Sequence, residues 1–284
     1  MATLNITPTD ATLGAIVTDV QLGAVDDSNW AAIKAAWLEY GVLIFPDQHL
    51  DEAEQVSVGQ RMGDIEVLVP KRKAVPISNR RADGSLVDAA DHHYQILRGN
   101  EGWHTDSSYM PVAAKASILS AQVVPPVGGE TEWADMRAAY VALDAATKDR
   151  IASLSAYHSL YHSQSKIGHK ASQGSSYGLG EQEPPLRPLV KVHPETGRPS
   201  LFIGRHAYGI PGLSEEESEQ LLTDLVTFAC QPPRIYTHQW QPGDVVFWDN
   251  RCLLHRARPY DFSQTRVMRH VRVAGELVSE SGIA

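Results

Sequence analysis

At 284 residues the chain is longer than the ~100–200 residues of an average domain, yet β-rich domains of this size are often single units, so one domain over 1–284 is expected. Its 43% hydrophobic and 21% charged residues supply a sizeable core and exclude disorder over most of the length. A formal charge of -9 argues against nucleic acid or an anionic membrane as partner, and no apolar run is long enough to cross a bilayer.

The opening "MATLNITPTDATLGA" lacks the basic and apolar regions of a signal peptide, so a soluble cytoplasmic protein acting on a small molecule is expected. "DDSNWAAIKAAWLEYG" then reads as a helix capped by Asp27 or Ser28, with Trp30, Ile33 and Trp37 at helical spacing and Gly41 as its stop. "VLIFP" follows as a buried strand and "DEAEQVSVGQRMG" as a short helix with an acidic first turn. "EVLVP" and "AVPISN" read as short strands, and residues 80–102 as an irregular loop with turn signals at "ADG" and "RGNEG".

"ASILSAQVVP" is a strand, "PVGGET" a turn, and "DMRAAYVALDAATKDRIASL" one amphipathic helix capped by Asp135. Residues 163–188, rich in Gly, Ser, Gln and Pro, form a long loop of the kind that serves as a lid. Beyond it strands and turns alternate: a hairpin around "HPETGRP", a helix at "LSEEESEQLLTDLVTFAC", then "RIYTHQW", "QPGDVVFWDN", "LLHRARP" and "RVMRHVRVAG". Many short antiparallel strands with few helices predict a mainly β, α+β protein built as a jelly roll, the double-stranded β-helix. Cys230 and Cys252 are too few for a disulfide framework, and their apolar surroundings suit buried thiols.

In "GWHTDSSYM", His104 and Asp106 stand two positions apart, which in extended chain puts both on one face. His255, in "WDNRCLLHRARP" after a Pro-Gly-Asp turn and a buried strand, is the natural third ligand. Two histidines and a carboxylate with the other positions open are the arrangement of non-heme Fe(II) oxygenases. One carboxylate against a divalent ion leaves room for a single anionic ligand such as a keto acid. The same three ligands would also suit a zinc or manganese cupin-like hydrolase or isomerase.

Taken together, "WHTDSSYMPVAAKASILSAQVVPPVGGETEWADM", "GDVVFWDNRCLLHRA" and "TRVMRHVRVAG" resemble the taurine dioxygenase family of Fe(II)- and 2-oxoglutarate-dependent oxygenases, and the similarity runs over nearly the whole chain. The resemblance implies that His104, Asp106 and His255 bind iron, that Thr131 and Arg266 hold the distal carboxylate of 2-oxoglutarate, and that O2 is the oxidant. A planar guanidinium suits that task because it grips a carboxylate bidentately and stays charged. Strand parity then places Met268, His270 and Arg272 on the face of Arg266, with Val267, Arg269, Val271 and Val273 opposite.

The taurine enzyme has an arginine at the position of His270, and its assisting upstream histidine has no clear match in "EVLVPKRK", so taurine is not the expected substrate. "HPETGRPSLFIGRHA" and "WDNRCLLHRA" look closest to the branch that cleaves aryloxyalkanoates, S-configured phenoxypropionates among them. The implied substrate is a phenoxypropionate- or phenoxyacetate-type acid, its carboxylate near His270 or Arg205, and its ether is cleaved to a phenol and an α-keto or aldehyde acid. A sulfonate or alkyl sulfate dioxygenase is the alternative within the family, whose members often form homo-oligomers.

Overall fold

The computed structural model describes residues 4–67, 69, 72–174 and 177–283. In Val42–Phe45 and Val245–Asp249 every residue is buried, because these strands lie inside a sheet covered on both faces. That sheet has seven strands, in the order Asn5–Pro8, Ala15–Thr18, Val42–Phe45, Val245–Asp249, Ala116–Val123, Val267–Val273 and Val75–Ser78. Only the pairing of Ala15–Thr18 with Val42–Phe45 is parallel.

The period of two sorts the side chains into two cores. Leu43, Phe45, Ile118, Phe247, Val271 and Val273 pack on one face against Ile33, Trp37 and Val58, which come from helices Asp27–Tyr40 and Glu52–Gln60. Val42, Ile44, Leu119, Val246, Trp248 and Met268 pack on the other against Trp133 and Leu253. Those two belong to a second sheet of Ile235–His238, Thr131–Asp135 and Leu253–Ala257. Two mainly antiparallel sheets facing each other over a shared core form the jelly roll expected. Helix Glu215–Ala229 covers the outside of the smaller sheet, its Leu221, Leu222 and Leu225 packing with Ala134 and Leu254.

Several local expectations need correction. The first helix is capped by Asp26, whose side chain accepts from Asn29 N at 2.7 Å, one residue before the expected cap. The single helix expected after Asp135 is two, Met136–Ala142 and Ala145–Ile151. The break occurs where Asp144 turns its carboxylate back onto Thr147 N at 2.8 Å, an aspartate serving as a cap rather than a helix interior. The loop expected over 80–102 contains helix His92–Gly99. The strand expected over 66–70 lies partly outside the described residues, and Val69 makes only an isolated bridge to Arg72. The hairpin around "HPETGRP" pairs Val190–Val192 with Pro199–Leu201 as expected. Of residues 163–188, the first three lie in helix Leu160–Ser165 and the last three form strand Leu186–Pro188; the described residues between form neither helix nor strand.

Candidate active site

Along strand Leu253–Ala257, Leu253 enters the core between the sheets and Leu254 the core outside, so His255 points inward by parity. Its backbone exchanges two hydrogen bonds with His104, at 3.0 and 2.7 Å, and the two rings lie 4.1 Å apart between centroids. Asp106 completes the group: the three side chains are buried and offer ligand atoms within 4.8 Å of one another. His104 Nδ1 bonds Gly102 O at 2.8 Å, which leaves Nε2 for a ligand. Asp106 Oδ2 lies 3.8 Å from His255 Nε2 and accepts from Ser117 Oγ at 2.6 Å.

Burial removes protons from the imidazoles. It brings His104 down to about 4 against the pull of Asp106, and holds His255 well below its ordinary value, with His104 acting in the same direction. For Asp106 burial alone would raise the pKa, but Arg272 first, then His255 and His270, outweigh it and hold the carboxyl well below the usual range. Neutral imidazoles beside an ionised carboxylate are the donor state a divalent cation requires, so the three residues fit an Fe(II) ion.

Next to them a small inner cavity of about 60 Å³ is lined by Thr131, Arg266, His270 and Arg272 as well as the triad. Gly128 and Gly129 both have positive φ, 78° and 74°, and a Cβ on Gly128 would come within 2.6 Å of Pro259 O, so "VGGET" needs glycine there. The turn presents Gly129 O to Arg266 Nε at 3.2 Å, while Asn79 Oδ1 holds the Arg266 backbone N–H at 2.8 Å. No carboxylate pairs with this buried guanidinium among the described residues. Burial lowers its pKa to about 10, so it remains a cation at neutral pH. Trp240 Nε1 donates to Thr131 Oγ1 at 2.9 Å, leaving the threonine hydroxyl proton free to donate into the cavity. Parity along Val267–Val273 is as expected: Arg266, His270 and Arg272 line the cavity, Met268 packs beneath it with Leu119 and Trp248, and Val271 and Val273 face the opposite core.

An outer cavity of about 360 Å³ opens from the same His104, Asp106, His270 and Arg272. Its walls include Ile77, Ile96, Leu97, Leu160, Tyr109 and Tyr177, and Arg205 and His206 sit in it. Arg205 lies against Gly99, where a Cβ would meet Nη1 at 2.6 Å. The guanidinium donates to Gly99 O, its Nη2 is buried with no partner among the described residues, and burial lowers its pKa to about 10. His206 Nδ1 donates to Ser163 Oγ at 2.8 Å, since that hydroxyl is itself donating to Leu160 O.

The matching family model describes the taurine catabolism dioxygenase TauD, TfdA family and covers residues 5–274. The chain belongs to this family. It is a 2-oxoglutarate-dependent dioxygenase that uses Fe(II) and O2. It is 56% identical to an (S)-phenoxypropionate/alpha-ketoglutarate-dioxygenase of Sphingobium herbicidovorans, over 99% of this chain and 98% of that one. It is also 36% identical to an alpha-ketoglutarate-dependent 2,4-dichlorophenoxyacetate dioxygenase of a Burkholderia species, over 89% and 88%. Among solved structures it resembles AAD-2 in complex with Mn(II) and N-oxalylglycine, with a TM-score of 0.90, 36% identity and 99% of each chain covered. An alkylsulfatase of Acinetobacter baylyi is more distant, at 31% identity over 94% of this chain and 84% of that one.

The dioxygenase site also depends on residues that sequence reasoning passed over. Asn250 Oδ1 accepts from Asp106 N at 3.2 Å and Trp248 Nε1 at 3.0 Å, and its Nδ2 donates to Ser117 Oγ at 2.9 Å, so one amide ties the turn carrying Asp106 to two strands behind the triad. The "WDN" sequence before His255 was the available signal. His270 is buried, stacks at 5.8 Å on Trp248, and brings Nε2 to 3.5 Å from Asp106 Oδ2. A second buried gathering, His193, Asp249 and Cys252, is closed to metal because Arg251 grips both Asp249 oxygens, at 2.8 and 2.7 Å. No helix among the described residues is long and apolar enough to cross a membrane.

Proposed function

We propose that the enzyme hydroxylates an aryloxyalkanoic acid, of the phenoxypropionate or phenoxyacetate type, at the carbon bearing the ether oxygen, with His104, Asp106 and His255 holding the iron. The resulting hemiacetal collapses to a phenol and an α-keto or aldehyde acid, without hydrolysis. Bound Fe(II) and 2-oxoglutarate supply the oxidation: one atom of O2 converts the keto acid to succinate and CO2, and the other is inserted into the substrate C–H bond.

The observation that carries this substrate reading is Arg205, a half-buried cation whose Nη2 is buried with no partner and no counter-ion among the described residues, in a cavity that is apolar over most of its surface and opens onto the triad. A carboxylate there gains charge-assisted hydrogen bonds, and an aryl ring gains the side chains of Ile96, Leu97 and Leu160. Arg205 suits the substrate anion better than His270, whose proton is disfavoured first by burial and whose Nε2 is turned to Asp106. Arg266 with Thr131 takes the far carboxylate of 2-oxoglutarate in the inner cavity, so the two acids bind at separate cations. The chain's own work is to hold the target C–H bond near the metal and to exclude water.

The whole chain serves as one domain, with residues 163–188 as a lid, since Gln164 and Tyr177 already line the cavity mouth. Protection of that segment from protease on adding Fe(II), 2-oxoglutarate and substrate tests the lid, and unchanged cleavage contradicts it. For the substrate, a panel of aryloxyalkanoates, alkyl sulfates and sulfonates under O2 with succinate as readout is the direct experiment. Arg205→Ala should raise KM for the aryloxyalkanoate about 10- to 100-fold, the loss of a charged hydrogen-bond pair, with KM for 2-oxoglutarate unmoved. Coupled turnover of an alkyl sulfate alone would sink the substrate reading.

A further inference from the structure

A relay runs outward from buried Asp106 and Ser107 to half-buried Glu66 and Tyr177. Arg272 Nη2 lies 2.9 Å from Asp106 Oδ1, and Arg272 Nη1 donates to Ser107 Oγ at 3.0 Å. The Ser107 hydroxyl donates to Glu66 Oε2 at 2.8 Å, and the Tyr177 hydroxyl donates to Glu66 Oε1. Ser107 is fully buried and has φ of 55°, a left-handed conformation that a serine keeps only where its surroundings hold it. Three side chains, Arg272, Ser107 and Glu66, thus connect Asp106 to Tyr177, which stands between the helix at Leu160–Ser165 and the strand at Leu186–Pro188.

Arg272 lines both cavities, which makes it a candidate anchor for a substrate carboxylate. Its bonds argue otherwise. Both terminal nitrogens are committed, one to Asp106 and one to Ser107, and Nε is buried with no hydrogen-bond partner among the described residues. Neither terminal nitrogen of Arg272 is without a partner, whereas Arg205 keeps Nη2 unpartnered among the described residues. Meanwhile Oδ2 of Asp106, not Oδ1, is the oxygen 3.8 Å from His255 Nε2.

We propose that Arg272 is a positioning residue that ties up Asp106 Oδ1, so that the carboxylate offers the metal Oδ2 alone, and that Glu66 and Tyr177 make this tie depend on the placement of the segment carrying Tyr177. The inference rests on the ligand assignment above. A carboxylate bound through both oxygens occupies two of six coordination positions, so one-oxygen binding keeps a position open for the keto acid and O2. The charges of Asp106, Arg272 and Glu66 sum to a single negative charge facing the divalent cation.

Mn(II) titration of the metal-free enzyme, followed by electron paramagnetic resonance, and the visible charge-transfer band of the anaerobic Fe(II)–2-oxoglutarate complex provide the test. Arg272→Gln should weaken Mn(II) binding about ten- to a hundredfold and move the band, and Arg272→Lys, which keeps the charge but not the fork, should recover only part of either. Tyr177→Phe, a variant outside both cores, removes a bond of the relay that is already present without substrate, so it should move Mn(II) binding and the band in the same direction as Arg272→Gln and by less. It keeps the coupling testable even if the Arg272 variants fail to fold. A wild-type enzyme that neither binds Mn(II) nor shows the band contradicts the ligand assignment itself. Folded Arg272→Gln with wild-type Mn(II) affinity and band but a raised substrate KM overturns this proposal in favour of a substrate anchor, and Tyr177→Phe with wild-type Mn(II) affinity and band overturns the coupling.

Discussion

The floor and the mouth of the cavity are built differently. On the floor, His104, His255 and Thr131 come from paired backbone and Asp106 from the turn beside it, and each except His255 has its side chain fixed by a hydrogen bond, to Gly102 O, from Ser117 or from Trp240. At the mouth, Arg205 and His206 lean on two short helices, through Gly99 and Ser163, and His92 of the first meets His169, in the segment after the second, at 2.8 Å. The floor can place reacting groups reproducibly because moving one means breaking a sheet. The mouth can change shape and side chains without touching that chemistry, which is how one fold comes to accept different acids.

The largest effect should come from the floor. His255→Ala should abolish the charge-transfer band and reduce succinate formation below detection with circular dichroism unchanged; retained turnover would remove His255 from the ligand set. Phe247→Ala, on the sheet face turned away from the site, should cost about 3–5 kcal/mol of stability by chemical denaturation. KM values measured well below its melting temperature should not move, which separates the core from the cavity. Arg266→Gln should raise KM for 2-oxoglutarate, by about 1.5–3 kcal/mol of lost charged hydrogen bonding, and leave KM for the aryl acid alone. Leu97→Ala at the mouth should do the reverse and by less, about 1–2 kcal/mol of apolar contact. If both variants shifted both KM values equally, the division between floor and mouth would fail.

Acid should weaken the fold through its buried histidines. Burial holds His104 at about 4 and His158, with Arg187 adding to the effect, at about 3, against an ordinary 6.5. An unfolded chain therefore binds more protons below pH 6.5, so their contribution is complete above 6.5 and is lost as the pH falls toward 4 and 3. The melting temperature of metal-free enzyme should drop over that window, and His158→Leu should flatten the slope. A flat profile between pH 7 and 5 would contradict it.

Much of the floor was legible because its signals are periodic. His104 and Asp106 share parity, His255 follows a buried strand, and alternation along Val267–Val273 separates cavity residues from core residues. What the sequence concealed depends on partners far away in the chain. Arg272 was assigned the right face, but its bonds to Asp106 and Ser107 need a neighbouring segment some 165 residues earlier. Asn250 and Trp240 become meaningful only once Ser117 and Thr131 lie beside them. Helix His92–Gly99 was hidden because its apolar residues, although at helical spacing, span only eight residues between turn signals, too short a window to separate from a loop. Asp26 and Asp27 are chemically equal as caps, and only the backbone decides between them.

The central claim is that three buried side chains hold one ferrous ion whose remaining positions accept 2-oxoglutarate. Anaerobic titration of the metal-free enzyme with Fe(II) in the presence of 2-oxoglutarate tests it most directly. The account predicts a visible charge-transfer band that saturates at one iron per chain, vanishes in His255→Ala, and needs a higher 2-oxoglutarate concentration in Arg266→Gln. A wild-type titration without that band, or one that His255→Ala leaves intact, would contradict it.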